Sequence, residues 1–432
     1  MAGEVTREQA ARAVRPAKRL PLAGVRIADL TAVWAGPYAT RLLADQGAEV
    51  IKVESPNNPD LLRALGLQPP GTPFAYNRAS YFNHNNRNKY GVAIDLGTAA
   101  GRERFLDLVT TSDVVIENFR ADVLDKLDIG YDVLRERRPD VILVSMPGHG
   151  KTGPEAGYVA YGTNVEQLAG LVSITGYAGE EPHKSGISYG DPISGTAAAG
   201  AVMAALLFRR RTGRGQWIDL AQRETLTNML GEYVVNYSQT GRVPGPTGND
   251  HPAFAPHDVF PCAGEDEWVA IAVRDDAEFA ALCRVLDRHD LISNARYADA
   301  VSRHRHRAEL FDVGASWTTG RGRYEAAEAL QLAGVPAAPV ETAAQLVDAN
   351  PQLQARDFME DVTHRDAGTW RMERPVWRFS DAPAHVRINA PRFAEHNSWV
   401  FRDLLGLSEE AVAALYEERA TGDEPNMAAH GG

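Results

Sequence analysis

Between residues 21 and 145, short aliphatic and β-branched runs alternate with segments of helical period, a pattern that admits few folds. The runs at 25–30, 49–53, 91–96, 113–116 and 141–145 read as strands. Each is short and nearly continuous in apolar residues, as in strands covered on both faces. Between the first two, the stretch 37–47 opens on Pro37, turns Leu42 and Leu43 inward and stops at Gly47, which is helix punctuation. Residues 98–111 are a second helical stretch, with Phe105, Leu106, Leu108 and Val109 on one stripe. Parallel strands need crossover helices, so the alternation predicts an α/β fold with a doubly wound, Rossmann-like parallel sheet.

Beyond Gly150 the texture changes to glycine-rich loops over 153–195, a small-residue helix over 194–211, a strand at 217–220 and a helix over about 222–237. Gly241, Pro244, Gly245, Pro246 and Gly248 then fall together within 240–252, as in a linker. Residues 253–347 read as an α+β stretch, with strands at 258–261 and 268–273 and helices over 275–286, 303–317 and 324–333. From 348 the chain is mixed and aromatic, with Trp370, Trp377 and Phe379, and it ends in a helix over 408–417 and a polar tail. The expected organisation is a large domain over 21–240, a smaller α+β domain over 253–347, and a segment over 348–432 that returns to the large domain.

A chain of 432 residues suits two or three folding units. Its 44% apolar and 24% charged content excludes a mainly disordered or fibrous protein. With a net charge of −12 and no concentrated basic tract, it is ill suited to a nucleic-acid backbone. Cys262 and Cys283 are the only cysteines, which gives neither a disulfide framework nor a zinc knuckle and points to the cytoplasm. The first twenty residues mix charges and lack the apolar stretch of a secretory signal. The longest apolar run, 197–208, falls short of the ~18–20 residues that cross a bilayer and reads as a buried helix. Neither a membrane nor a nucleic acid is an expected partner.

Three motif-like strings carry little. Gly186-Ile-Ser188-Tyr-Gly190 has the letters of a serine-hydrolase elbow, but a polar loop precedes it where a core strand is required. Gly150-Lys151-Thr152 resembles the end of a phosphate loop, yet Ser145 stands where the opening glycine belongs. His304 and His306 alternate with Arg303, Arg305 and Arg307, a cationic setting hostile to a metal, and no metal is expected. The first βα turn, residues 31–37, lacks the spaced glycines of a dinucleotide fingerprint, so no redox cofactor is expected either.

The most informative stretch is Ser188-Tyr-Gly190-Asp191-Pro192-Ile-Ser194-Gly195, directly before the apolar helix. With Ser194 as the expected N-cap, Asp191 lies just outside the helix, where the amides stabilise negative charge and an ionised carboxylate can act as a nucleophile. A purely structural role, capping the loop or the helix, stays open at this point. Arg209, Arg210 and Arg211 at the far end simply complement the helix dipole.

Several motifs together resemble the class III CoA-transferases, the CaiB/BaiF family. They are PLAGVRIADLTAVWAGPYATRLLADQGAEVIKVE at 21–54, NRNKYGVAIDL at 86–96, DVVIENFR at 113–120, YGD at 189–191, TGRGQWIDL at 212–220 and AGVPAAPV at 333–340, and the similarity runs from about 21 to about 416. The resemblance implies an acyl-CoA:carboxylate CoA-transferase with Asp191 as the catalytic aspartate, working through acyl–aspartyl anhydride and aspartyl-CoA thioester intermediates. It implies coenzyme A as carrier substrate, without metal or redox cofactor, and an interlocked homodimer. CoA contacts carried over from the family fall on Val33 and Trp34, Ile94, Asn118, Phe119 and Arg120, Lys126 at the phosphates, and Tyr161 beside the thioester.

The chain departs from the formyl-CoA transferases of that family at three places. Trp34 stands where they carry glutamine, Gly248 to His257 replaces their glycine run, and Ser55 stands where a basic residue often follows the second strand. A small polar acid such as oxalate therefore fits poorly, and Trp34 and Phe254 suggest a bulkier acyl group. His251 and His257 belong to a loop that either closes over the site or serves as a turn. The rival reading is an α-methylacyl-CoA racemase, which needs a second acid/base near neutrality; Tyr161 occupies the place of its histidine, as in the transferases. A non-catalytic acyl-CoA-binding protein is a third reading, opposed by the retained Asp191.

Overall fold

The computed structural model describes residues 20–430 apart from 67 and 70. The N-terminal stretch 1–19, to which most of the expectation about an export signal refers, lies outside the described residues. The chain forms two compact units. Among the described residues, the first comprises those up to Leu171, Ser185–Asn236 and those from Arg356 onward; the second comprises Val172–Lys184 and Tyr237–Ala355.

The first unit is built on a six-stranded, fully parallel sheet. In chain order its elements include β1 (Arg26–Asp29), α1 (Ala35–Asp45), β2 (Glu49–Glu54), α2 (Ser80–Asn85), β3 (Lys89–Ala93), α3 (Ala99–Thr111), β4 (Val114–Glu117), β5 (Ile142–Ser145), α4 (Gly162–Ala169), α5 (Gly190–Thr212), β6 (Trp217–Asp219) and α6 (Gln222–Met229). The strand order is β3-β2-β1-β4-β5-β6, the doubly wound arrangement expected from the sequence. The chain winds outward from β1 in one direction, then restarts at β4 in the other. The carboxyl ends of β1 and β4 therefore flank the switch point, where open α/β sheets place their ligands.

Strand alternation divides the core between the two faces. Ile27, Val50, Val114, Ile116, Ile142 and Val144 pack with Leu42 and Leu43 of α1 and with Ala198, Ala199, Val202 and Ala205 of α5. Ala28, Ile51, Val92, Val115 and Leu143 pack on the other face with Phe105, Leu108 and Val109 of α3. Val400, Phe401 and Leu415 complete that second face, so the C-terminal segment belongs to this unit. Burying a side chain such as Phe401 stabilises by about 1.5–3 kcal/mol. The same segment pins the end of β3: the Asn397 Oδ1 accepts the Ala93 N–H at 2.8 Å and the Thr421 hydroxyl donates to the Ala93 carbonyl at 2.7 Å.

In the second unit, β7 (His257–Pro261), β8 (Trp268–Ala272) and β9 (Ala337–Pro339) form an antiparallel sheet. Phe260, Val269 and Ile271 pack with Phe279 and Leu282 from the helix Asp276–Val285 and with Leu310 and Leu330 from Arg307–Thr318 and Arg323–Leu332. Both cysteines are free and buried here.

Several sequence expectations need correction. The apolar helix begins at Gly190 rather than 194, because Pro192 needs no N–H partner in a first turn. That helix is buried on one face only: Met203, Leu207 and Phe208 are exposed. The expected helix over 303–317 is broken at His306 into Ala300–Arg305 and Arg307–Thr318, and that over 222–237 is two helices meeting at Leu230. The second unit also extends past 253–347 and takes in Val172–Lys184, joined to it by the Gly248 N–H donating to the Gly176 carbonyl at 2.8 Å.

Candidate active site

The turn after β1 departs from ordinary backbone. Val33 has φ 67°, a left-handed conformation that a β-branched residue adopts only at a cost of roughly 1–3 kcal/mol. Four polar side chains hold the turn there. Asn118 Oδ1 accepts the Ala32 N–H at 2.8 Å while its Nδ2 donates to the Ala32 carbonyl at 2.8 Å, bridging the ends of β1 and β4. Asp60 Oδ1 accepts the Val33 N–H at 3.1 Å, and its other oxygen pairs with the buried Lys52 Nζ at 2.9 Å. Lys52 Nζ also donates to the Thr31 carbonyl at 2.7 Å. Asp29 accepts the Thr31 N–H at 2.9 Å and the Lys89 ammonium at 3.1 Å. The next residue but two, Gly36, has to lack a side chain because a Cβ there would collide with Thr31.

Asp191 lies in the first turn of α5 and is 8% exposed. Its carboxylate accepts the N–H of Ala35, at the start of α1. Burial pushes its pKa up to about 6; the Ala35 N–H opposes this, and the charge of Glu166 adds to it. Two glycines make room. A Cβ at Gly162, the first residue of α4, would collide with the Asp191 Oδ2, and one at Gly195 would lie 2.6 Å from the Ala35 carbonyl oxygen. Helices α1, α4 and α5 thus converge on one carboxylate that is largely screened from water yet mostly ionised at neutral pH. Such a group is a stronger base and nucleophile than a solvated aspartate.

Trp34 and Tyr81 line this neighbourhood, their rings meeting edge to face at 5.3 Å. Burial, and secondarily the charge of Asp191, raises the Tyr81 pKa well above its ordinary value, so the phenol remains a donor. The Trp34 indole Nε1 is buried without a hydrogen-bond partner among the described residues.

On the other side of the β1 turn lies a cavity of about 480 Å³, lined by Thr31, Ala32, Ser55, Ile94, Phe119 and Lys126 among others. Of the residues expected to contact CoA, Ile94, Phe119 and Lys126 line it directly, Val33 and Trp34 continue the turn that borders it, and Asn118 anchors that turn. Lys126 pairs with Asp122 at 2.5 Å and keeps its side chain largely in solvent. Arg120 is exposed and turned to Asp122 at 2.9 Å, outside the cavity wall. Tyr161 is 57% exposed at the N-cap of α4, next to Gly162. In the second unit His251 stacks on Phe254 at 3.9 Å and His257 Nδ1 lies 2.6 Å from the Asn249 carbonyl, which gives that loop its own internal packing.

Sequence reasoning missed Tyr81, Asp60 and Glu166. For Glu166 a signal existed: it shares the inward stripe of α4 with Gly162, Val165 and Ala169, where an acidic residue is out of place. Asp60 caps the helical turn Leu61–Arg63, but its role at the β1 turn is defined by its partner Lys52, eight residues earlier on β2.

The model of CoA-transferase family III matches residues 22–397. The chain is 35% identical over 400 residues to a succinate–glutarate CoA-transferase of Agrobacterium fabrum, covering 92% of this chain and 99% of that protein. It is 39% identical over 346 residues to a succinyl-CoA:mesaconate CoA-transferase of Haloarcula marismortui, covering 78% and 84%. Among solved structures, a CaiB/BaiF family protein from Brucella suis superimposes with a TM-score of 0.80 at 33% identity, over 89% of this chain and all of that one. With sequence, fold and strand order in agreement, the chain belongs to CoA-transferase family III and is a CoA-transferase.

Proposed function

We propose that the protein moves coenzyme A from a donor acyl-CoA to an acceptor carboxylic acid through covalent intermediates on Asp191. The observation that carries this reading is the placement of a buried, weakly acidic carboxylate against the turn that borders the cavity at the sheet's switch point. In the first step an Asp191 oxygen bonds to the thioester carbon, the C–S bond breaks, and CoA leaves as thiolate from a mixed acyl–aspartyl anhydride. The thiolate then attacks the Asp191 Cγ, breaking the anhydride C–O bond, and the donor acid leaves as carboxylate. An acceptor carboxylate next attacks Cγ of the aspartyl-CoA thioester and expels thiolate again. Attack of that thiolate on the acceptor's acyl carbon gives the new acyl-CoA and restores Asp191. No proton, electron pair or metal is consumed over the cycle.

Both intermediates hydrolyse readily, which is the use of a carboxylate only 8% exposed. Val33, Trp34, Ile94, Asn118, Phe119 and Lys126 are the proposed CoA contacts, with Tyr161 beside the thioester and Arg120 on the solvent side of the phosphates. The relatives' names put short dicarboxylic acids, with succinyl-CoA as donor, first among the substrates. A racemase would need a second acid/base near neutral pKa, and Tyr161 stands in that place. Exposed Met203, Leu207, Phe208, Met229, Val234 and Val235 form apolar surface that a second copy of the chain would cover in a homodimer.

Mass spectrometry of products from a panel of acyl-CoA donors and acids tests the reading. Exchange is expected with the parent enzyme and a loss of at least ~10³-fold with Asp191→Ala. Full exchange in that variant would overturn the reading.

A further inference from the structure

Helix α5 lacks a side-chain cap of its own. Its N-cap residue, Tyr189, makes no capping hydrogen bond through its side chain, and Asp191 is occupied with Ala35. The missing acceptor comes from the neighbouring helix: Glu166 Oε1 accepts the Tyr189 N–H at 2.6 Å and lies 2.7 Å from the Ser185 hydroxyl. Glu166 is fully buried, and its second oxygen, Oε2, is buried with no hydrogen-bond partner among the described residues. Burying such a carboxylate costs several kcal/mol, and a neutral residue could fill the same space on α4.

We propose that Glu166 is a positioning residue for Asp191: it caps the catalytic helix from α4, fixes the nucleophile between Gly162 and Ala35, and supplies a like charge that strengthens its attack. This rests on the transfer reading above. Geometry supports the first part, since Glu166 and Gly162 lie one turn apart on α4; one holds the backbone entering α5 and the other abuts the Asp191 oxygen. Charge supports the second. A negative group beside a carboxylate destabilises its ionised ground state, and that penalty is relieved in the transition state as charge moves onto the thioester oxygen. The titratable groups facing Asp191 are Glu166 from α4 and the Tyr81 phenol from α2, while α1 presents the Ala35 N–H. The phenol stays neutral through the acidic and neutral range, so an acid limb in the rate belongs to Asp191.

The test uses the full chain with Glu166→Gln and Glu166→Ala, read as kcat and KM for succinyl-CoA across the acidic and neutral range, with Asp191→Ala in parallel. Glu166→Gln keeps an acceptor for Tyr189 and removes the charge. It should move the acid limb of kcat/KM down by ~1 pH unit and lower plateau kcat several-fold, with KM nearly unchanged. Glu166→Ala loses the cap as well and should lower kcat by ~10²-fold. An unmoved acid limb in Glu166→Gln overturns the proposal, as does Glu166→Ala turning over at the parent rate. If the alanine variant does not fold, the glutamine variant's pH profile decides. Activity surviving Asp191→Ala would instead overturn the transfer reading itself; an inactive Asp191→Ala beside an unaffected Glu166→Gln would sink the positioning role alone.

Discussion

Two buried carboxylate clusters adjoin the segment between β1 and α1, and they are built on opposite terms. Around the β1 turn three acids each have a cation: Asp29 with Lys89, Asp60 with Lys52, and Glu54 with Arg63 at 2.7 Å. Burial works against the charge of Asp29, yet Lys89, Lys52 and the hydroxyls of Thr31 and Thr40 hold its pKa below the ordinary value. At the start of α5, Asp191 meets an N–H and a second acid, Glu166, and its pKa rises to about 6. The first cluster spends its charges on geometry, fixing Val33 in a strained turn. The second leaves charge uncompensated, the setting that the proposed nucleophile requires.

Breaking a pair in the first cluster should have the largest effect on stability. Lys52→Met leaves Asp60 buried and unpaired and frees the Thr31 carbonyl, for an expected loss of about 3–5 kcal/mol in denaturant unfolding. A loss below about 1 kcal/mol would mean that the turn is held by other means.

Removing charge from the second cluster should do the reverse. Folding raises the Asp191 pKa from about 3.9 in an unfolded chain to about 6, so the folded protein binds the proton more tightly. The stability this confers is complete below the unfolded value and is lost as pH rises through about 6. Above that, the ionised carboxylate costs on the order of 3 kcal/mol. Asp191→Asn should therefore be more stable than the parent by roughly 2–3 kcal/mol at mildly alkaline pH, with the difference vanishing in acid. A destabilised asparagine variant at high pH would erase the distinction between the clusters.

The sheet was legible in the sequence because strands covered on both faces leave unbroken apolar runs, as at Val114 to Ile116 and Ile142 to Val144. Asp191 was legible through a motif, but its placement was not. Ser194 looked like a cap, whereas the helix starts at Gly190 with a cap borrowed from Glu166. Partners brought together by tertiary structure leave no local trace. Asp60 meets Val33 across 27 residues and Glu166 meets Tyr189 across 23, and neither pairing has a period or spacing to read. The hairpin Met359–His364 and Gly368–Glu373 was missed for a related reason: its strands are largely exposed and polar, so no apolar alternation announces them.

The claim that Asp191 carries CoA covalently is tested most directly by mixing the enzyme with succinyl-CoA, quenching during turnover and mapping peptides by mass spectrometry. The account predicts CoA attached through the side-chain carboxyl of Asp191, converted by hydroxylamine to a hydroxamate on the same residue. Turnover at the parent rate with Asp191 unmodified, or with the adduct on another residue, would contradict it.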